Sequence, residues 1–380
     1  MTTTINNKNK KPNVPNKREQ NQTCLDSAER EGLRPKGNVP NLRFKEFSGE
    51  WEEYRIEDIT ENISSGRCKS HSSNGKYNLY GSTGIIGKTN EACYEGNLVL
   101  VARVGANAGS LQIINEPCGI TDNTLIIKPK KVDAQYIYYF LQHLHLNRLI
   151  FGSGQPLITG GMLKKVKVSL GNIQEQNKLT RLLSLLDERI ATQSKIIDKL
   201  QSLIKGIAHK ISKQGKPNTR LTECLQCSSS TLQESEVAEV GVYPVYGANG
   251  IVGFLDYYNT ANEAIYIIKD GSGVGTVSYV NGKCSVTGTL NTLQAKDGFS
   301  LRYLYFMLKV FSFEPYKTGM AIPHIYFKDY GKAKIYCPSY ELQNKYADLL
   351  SKIELKAIAE QKILDNLYGQ KQYLLRQVFI

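Results

Sequence analysis

Apolar and polar residues are distributed in two distinct ways along this chain. Over roughly residues 40–173 the apolar runs are short, rich in β-branched residues and separated by glycines, as in NLVLVARV at 97–104. This pattern is typical of strands joined by tight turns. Apolar side chains at helical spacing predict one helix at 134–146. The stretch 219–340 repeats this order, with further strands and then a helix at 301–311.

Each of these stretches is followed by a long segment with helical periodicity. Residues 174–211 contain no proline and one glycine, and their leucines and isoleucines recur every three to four positions. This predicts a single amphipathic helix over 174–212, and a second one is predicted over 341–380. At 1.5 Å per residue each would be about 57 Å long, so its apolar stripe needs a partner. We expect the two helices to pair as an antiparallel coiled coil.

An internal repeat connects these observations. YGSTGIIG at 80–87 returns as YGANGIVG at 246–253, and further glycines and tyrosines recur at the same offset of 166 residues or one more. A repeat of this length is a whole domain with its connector. The predicted fold is α+β, with two tandem, pseudo-symmetric domains of mostly short strands and small helices, each followed by a long helix. The predicted ranges are a basic tail at 1–39, a first domain at 40–173, a helix at 174–212, a connector at 213–218, a second domain at 219–340 and a helix at 341–380.

The charge of the chain indicates a polyanionic partner. Its 380 residues carry a formal net charge of +13, with an isoelectric point near 9.2, and this balance favours nucleic acid. The first 39 residues hold part of the excess and are almost free of apolar side chains before Leu25, so we expect them to be disordered. The sequence contains no run of about 18 apolar residues and no secretory signal, so we expect a cytoplasmic protein without a membrane partner.

The sequence matches none of the catalytic and cofactor-binding motifs considered for it. GSTGIIGKT at 81–89 misses the spacing of a phosphate-binding loop by one residue, and GSGVG at 271–275 misses that of a dinucleotide-binding loop. None of the five histidines recurs in the other copy, and no metalloprotease, nucleophile-elbow or amino-methyltransferase motif occurs. The C-x-x-C of Cys224 and Cys227 lacks the other ligands of a structural zinc site. We predict no catalytic, cofactor-binding or metal-binding residue, although a catalytic pair confined to one copy stays open.

Polar positions that differ between the copies within shared loops are candidate contacts to DNA bases. Arg and Lys suit guanine acceptors, Asn and Gln suit adenine, and Asp suits cytosine; solvated loop polarity is the alternative explanation. The candidates, which include the two shared tyrosines of the glycine motifs, are Tyr80, Ser82, Thr83, Arg103, Asn107, Ser153, Gln155, Tyr246, Asn249, Lys269, Ser272, Lys317, His324 and Tyr326. The same variable loops also contain Ala106, Ala248 and Asp270.

The order of these features resembles a known family. VPNLRFKEFSGEWEE at 39–53, two copies of Y-G-x-x-G-I-x-G and a long helix after each copy resemble the specificity subunit of type I restriction-modification systems. The resemblance covers about residues 38–380 and depends on the duplicated order of the motifs. It implies that two target-recognition domains each read one half of a split DNA site, while the paired helices fix the gap between the halves.

The resemblance also implies partners. The long helices would dock DNA methyltransferase subunits, two in number, which bring S-adenosylmethionine and methylate adenine. Through them would come the restriction and translocation subunits, which use ATP and Mg. This chain would then be a non-catalytic subunit without a cofactor of its own. The helix residues that we expect to take part in docking are Leu182, Leu186, Leu200, Leu350, Ile353 and Leu367.

Two alternatives belong to other classes of protein. The chain could be a coiled-coil scaffold or adaptor without DNA specificity, because its long apolar helices would serve either role. It could also be a nuclease or transferase whose site lies in one copy. DNA binding that weakens as salt concentration rises would favour DNA recognition over a scaffold without DNA specificity. Nuclease or transferase activity of the isolated chain would support the second alternative.

Overall fold

The computed structural model describes residues 37–68, 72, 74–149, 156–319 and 321–380. Nearly all of the predicted basic tail lies outside the described residues, as do Ser153 and Gln155. The chain forms two compact units. The first extends to Ile190 and also contains Asn366–Ile380, and the second is Ala191–Asp365. Each unit therefore combines one predicted domain with portions of both long helices.

In its described residues the first unit contains nine strands, two short helices, the start of one long helix and the end of another. The strands are β1 (Glu52–Arg55), β2 (Thr60–Ser65), β3 (Tyr77–Gly81), β4 (Gly84–Thr89), β5 (Leu98–Ala102), β6 (Leu111–Ile114), β7 (Cys118–Ile120), β8 (Thr124–Pro129) and β9 (Lys167–Leu170). The helices are α1 (Ala134–Leu144), α2 (Gly160–Lys164) and the long α3 (Ile173–Ser212), with 3-10 turns at Ile56–Ile59 and Leu146–Leu149. The strands form an antiparallel sheet in the order β2-β8-β5-β6, a second sheet β4-β3-β7 and the pair β1-β9.

Strand β5 explains why its sequence is apolar without alternation. All five of its residues are buried. Val99 and Val101 belong to the main core, which α1 covers, whereas Leu98 and Leu100 belong to a smaller core that includes Cys118 of the second sheet. Because successive side chains of a strand point to opposite faces, a strand buried on both faces needs a continuous apolar run.

The second unit repeats the order of strands and sheets of the first. Its strands are β10 (Thr219–Arg220), β11 (Leu225–Ser229), β12 (Tyr243–Gly247), β13 (Gly250–Leu255), β14 (Ala264–Ile268), β15 (Val277–Val280), β16 (Ser285–Val286), β17 (Leu290–Ala295) and β18 (Lys334–Ile335). Its helices are α4 (Leu221–Cys224), α5 (Leu301–Val310), α6 (Phe327–Tyr330) and the long α7 (Tyr340–Val378), with 3-10 turns at Glu234–Glu236 and Glu314–Tyr316. The sheets run β11-β17-β14-β15, β13-β12-β16 and β10-β18, in the same order as their counterparts.

The two long helices have the predicted lengths. Helix α3 has 40 residues and α7 has 39, so each is about 60 Å long. Buried residues recur at seven-residue spacing, with Leu183, Ile190, Ile197 and Ile204 on α3, as the seam of a coiled coil requires. The corresponding buried residues of α7 are Leu350, Ala357 and Leu364.

Polar contacts link the two long helices within each unit. In the first unit Lys371 Nζ lies 2.6 Å from Asp187 Oδ1. In the second, Gln193 Nε2 donates to the carboxylate and, at 3.1 Å, to the carbonyl oxygen of Glu360. Residue numbers rise along one helix as they fall along the other, so the helices are antiparallel. The predicted α+β fold with a paired, antiparallel coiled coil is confirmed.

Candidate nucleic-acid interface

Backbone hydrogen bonds bring four loops of the first unit together. The loops are the β3–β4 turn together with the end of β3 before it, the β5–β6 loop, the β7–β8 turn and the segment that precedes α2. The bonds run from Arg103 N to Asn123 O (2.9 Å), from Ile158 N to Arg103 O (2.9 Å), from Gly105 N to Pro156 O (3.2 Å) and from Thr121 N to Tyr80 O (3.0 Å). We call these four loops the loop frame of the first unit. These bonds therefore hold the backbones of the loops in place against one another.

The second unit builds the same loop frame. Its bonds run from Lys269 N to Thr289 O (3.0 Å), from Ile325 N to Lys269 O (2.9 Å), from Gly271 N to Pro323 O (2.9 Å) and from Thr287 N to Tyr246 O (2.9 Å). Every donor and acceptor is the repeat counterpart of one in the first unit. Because main-chain atoms make these bonds, the same bonds form in both units although many side chains of the loops differ.

The repeated glycine motif forms a hairpin turn in both units, as its sequence predicts. Gly84 and Gly250 follow the turn with φ of +113° and +104°, which residues with a β-carbon adopt only under strain. Gly81 is covered by the side chain of Ile86, and a β-carbon there would lie 3.0 Å from Ile86 Cγ2. Gly247 is covered in the same way by Val252, at 2.7 Å from its Cγ1. The shared glycines thus serve the turn and its close packing.

The candidate residues of the first unit are in different environments. Thr83 and Asn107 are exposed at the tips of their loops. Ser82 Oγ donates to Asn123 O at 3.2 Å, which ties the hairpin turn to the β7–β8 turn. Arg103 Nη1 donates to Ser65 Oγ at 3.2 Å, while its Nε is buried without a hydrogen-bond partner among the described residues. Arg103 and Ser82 therefore lie within the frame, and Thr83 and Asn107 lie at its edge.

The Tyr80 side chain is hydrogen-bonded and packed within the first unit. Its hydroxyl donates to Glu116 Oε1 at 2.7 Å, and Asn78 donates to the same oxygen at 2.7 Å. Burial and the nearby Glu116 carboxylate raise the pKa of Tyr80 to about 12. The same two donors hold the pKa of Glu116 below its usual value. The ring packs against the smaller core, so its hydroxyl is committed within the unit.

The candidates of the second unit are also in different environments. Asn249 and Ser272 are exposed, and Lys269 donates to the carboxylate of Asp270. The ring of His324 lies 5.2 Å from that of Tyr326, which is exposed. Two further candidates are engaged inside the unit, since Lys317 pairs with Glu314 and Tyr246 packs 5.8 Å from Tyr266 between ring centroids.

Comparing the two copies within the sequence did not identify several residues that contact the candidate side chains or lie inside the loop frame. Ser65 and Asn123 contact candidate side chains, and Val104 and Leu157 lie inside the frame of the first unit. Val104 and Leu157 are the repeat counterparts of Asp270 and His324, so comparing unlike residues of any chemistry, rather than polar ones, would have found them. Ile85 and Ile251 are shared yet 58% and 54% exposed. Such shared, exposed side chains beside the turn have no evident role in folding.

The predicted docking residues divide into exposed and buried positions. Leu182 is 37% exposed, and Leu186, Leu200 and Ile353 are partly buried. The structure corrects the prediction for Leu350 and Leu367, which are buried in their own units because they lie on the inner seam of α7. The large hydrophobic residues that α3 and α7 do expose, in addition to Leu182, are Ile173, Leu185, Ile196, Leu203, Tyr340, Leu349, Leu355, Ile358, Ile363, Tyr368 and Tyr373.

Among the described residues, no group of three or more histidine, cysteine or acidic side chains is arranged to hold a metal ion. No helix in the described part of the chain has the length and apolarity needed to cross a membrane.

The duplicated architecture agrees with comparisons to known proteins. The family model described as "Type I restriction modification DNA specificity domain" matches twice, at residues 48–202 and 220–367. The chain belongs to this specificity family. Both matches begin within or just before a unit's first strands and continue into its long helix, so the family's repeat is the one found in the sequence.

Relatives and solved structures of the specificity family are similar over most of the chain. A Mycoplasma genitalium protein described as type I specificity subunit S.MgeORF438P is 26% identical over 339 residues, which cover 80% of this chain and 87% of that protein. A Mycoplasma pneumoniae protein, described as S.MpnORF638P, is 25% identical and covers 78% of this chain and 88% of its own length. The crystal structure of a type I restriction-modification S subunit from M. genitalium matches with a TM-score of 0.66 at 21% identity, covering 90% of this chain and 99% of that one. The last similarity concerns the fold.

Proposed function

We propose that this chain is the DNA-recognition subunit of a type I restriction-modification complex and that each unit reads one half of a bipartite duplex site. The observation that carries the proposal is the repeated loop frame. Main-chain bonds of the same pattern hold different side chains in the two units. Two domains with one scaffold and different loops suit two adjacent targets of different sequence.

Affinity and sequence discrimination would come from different parts of the surface. A net charge of +13 attracts a phosphate backbone whatever its sequence. Discrimination needs side chains that reach base edges, and a two-stranded ribbon or loop of the kind found here fits the major groove. The exposed hairpin tips at Thr83 and Asn249, the half-buried Arg103 and Lys269, and the exposed Tyr326 are the groups that we assign to this task. Ser153 and Gln155 remain candidates that lie outside the described residues.

The long helices would carry the partner subunits. Exposed apolar side chains on them favour a protein partner, and each unit contributes some, with Leu182 and Leu185 in the first and Ile358 and Ile363 in the second. We assign this surface to two DNA methyltransferase subunits, which would use S-adenosylmethionine and join the complex to restriction subunits that use ATP and Mg. This chain would then have no active site, and methyl transfer and DNA cleavage would take place in its partners. The whole assembly would work in the cytoplasm.

A tethered pair of readers gains affinity without additional contacts. Once one unit has bound its half-site, the second encounter is intramolecular, and its effective concentration depends on the connection between the units. The two long helices are that connection, so we expect them to fix the number of base pairs between the half-sites. This is the property that an adaptor without DNA specificity would lack.

Selection from a duplex library with a long randomised segment tests the proposal. The full chain, alone and with its methyltransferase subunits, should enrich two short blocks separated by a fixed number of unspecified base pairs. Its affinity for the selected duplex should fall steeply with salt concentration, because binding releases counterions. Enrichment of a single block, or of none, would contradict bipartite reading. Methylation of DNA by the isolated chain would support the alternative of a hidden transferase site.

A further inference from the structure

In the first unit a pair of facing residues joins the β5–β6 loop to the segment before α2, and in the second its counterpart joins the β14–β15 loop to the segment before α6. Val104 faces Leu157 in the first unit, and Asp270 faces His324 in the second, each as an isolated antiparallel bridge. Two main-chain hydrogen bonds flank each pair. In each bond the N–H of the residue after one member donates to the carbonyl oxygen of the residue before the other member. This is the arrangement of a non-hydrogen-bonded pair, whose side chains are close together on one face. The two pairs are repeat counterparts, so the comparison concerns one position in two units.

The face on which these side chains lie follows from their neighbours. Ile158 and Ile325 come directly after Leu157 and His324, and both are completely buried in the main cores. Because successive residues of an extended segment point to opposite sides, Leu157 and His324 point away from the cores. Leu157 is 39% exposed, and none of the four residues is a member of a core cluster. The hydrophobic cores therefore do not include these four side chains.

The chemistry of the two pairs differs completely. Val104 and Leu157 have no side-chain donor or acceptor, so they can recognise only an apolar group. The Asp270 carboxylate is 39% exposed and accepts a bond from Lys269, which leaves further acceptor positions on its two oxygens. His324 Nδ1 lies 3.1 Å from the carbonyl oxygen of Ile322 and, because a carbonyl only accepts, must be the donor. In the neutral ring Nε2 is then an acceptor.

We propose that these pairs are specificity-determining residues, with Val104 and Leu157 contacting the C5-methyl group of a thymine and Asp270 accepting from the exocyclic amino group of a cytosine or adenine, assisted by His324. This inference rests on the proposed function and names the chemistry at one position of each half-site. The thymine methyl is the apolar group on the floor of the major groove, and the amino groups are its donors. The positive charge of Lys269 offsets the negative charge of Asp270, which would otherwise repel the DNA phosphates.

Exchanging the pairs tests the inference. The first variant carries Val104→Asp and Leu157→His, and the second carries Asp270→Val and His324→Leu. In library selection the first should change one position of one block from thymine to cytosine or adenine and leave the other block unchanged. The second should make the reverse change in the other block. Each of these contacts is single, so preference at the affected position should change by about five- to tenfold, near the lower end of what a bidentate base contact supplies.

Controls separate this inference from the proposed function. Val242→Asp places the same new carboxylate on an exposed residue of the second unit outside the loop frame, and should leave both blocks unchanged. If an exchange variant does not fold, the near-isosteric Val104→Thr and Asp270→Asn replace it, and each should weaken preference at the same single position. Unchanged preferences in folded variants, with two blocks selected by the unaltered chain, would overturn this inference alone. Failure of the unaltered chain to select two blocks would overturn the proposed function with it.

Discussion

A buried ion pair fastens the N-terminal segment to the start of α3, and breaking it should destabilise the first unit strongly. Arg43 Nε donates to Glu175 Oε1 at 2.7 Å, and Arg43 Nη2 donates to Oε2 at 2.8 Å. Trp51 Nε1 donates to the same carboxylate at 3.1 Å. The Glu175 side chain is 1% exposed and that of Arg43 is 13% exposed. The bonds to Glu175 raise the pKa of Arg43, so the guanidinium keeps its charge.

The variant Arg43→Met leaves the Glu175 carboxylate buried with Trp51 as its remaining side-chain donor. Removing one partner of a buried ion pair costs about 3–5 kcal/mol, chiefly because the other charge loses its compensation. In a unit of this size each kcal/mol lowers the melting temperature by about 2–4 °C, so a loss on the order of 10 °C is expected. Adding Glu175→Leu to Arg43→Met should recover part of the loss, since no unpaired charge then remains buried.

The assay uses the single tryptophan of the chain. Trp51 is 4% exposed and contacts the ion pair, so its fluorescence in a urea titration reports unfolding of the first unit. Lys178→Met is the matched control, because Lys178 and Glu46 join the same two segments by an ion pair whose members are 47% and 49% exposed. An exposed pair contributes about 0–1 kcal/mol. If the two methionine variants lost similar stability, the argument from burial would be refuted.

Three further predictions concern other parts of the molecule. Gly84 has φ +113° and open space around it, so Gly84→Ala should destabilise the protein by about 1 kcal/mol through backbone strain alone. Gly206 also has open space around it but lies in the interior of α3, so Gly206→Ala should stabilise the protein slightly. Equal effects of the two variants on denaturant unfolding would contradict this. A hydrogen bond with Cys68, together with partial desolvation of the thiol, raises the pKa of Cys93 to about 11. With Cys24→Ser and Cys227→Ser as background, its reaction with a disulfide reagent should therefore be slow at pH 7 and accelerate as pH approaches 11, and fast reaction at pH 7 would refute this. Inserting seven residues into both α3 and α7 keeps the heptad seam and lengthens each helix by about 10 Å. Library selection should then return a spacer between the half-sites that is about three base pairs longer. An unchanged spacer would show that the helices do not set its length.

The sequence predicts the parts of this fold that depend on local pattern. The absence of proline and the regular apolar spacing place α3 and α7 within a residue or two of their observed ends. The apolar run at 97–104 becomes β5, and the glycine motif becomes a hairpin in both units. Each of these features is encoded over a stretch of neighbouring residues.

The features that the sequence did not predict depend on contacts between distant residues. Periodicity identifies an apolar face but not what covers it, so Leu375 and Phe379 could not be assigned to the core of the first unit. For the same reason Leu350 and Leu367 were expected to dock a partner and instead lie inside. The loop frame is held by main-chain bonds between segments about 20 to 55 residues apart, which leave no pattern in side-chain type.

Exchange of one domain tests the central claim most directly. The measurement replaces residues 40–173 with the corresponding domain of a specificity-family protein that has a different target, and repeats the library selection in complex with the methyltransferase subunits. Modular reading predicts that one block changes to the donor's half-site while the other block and the spacer remain as they were. A change in both blocks, or in neither, would contradict the proposal that each unit reads its own half of the site.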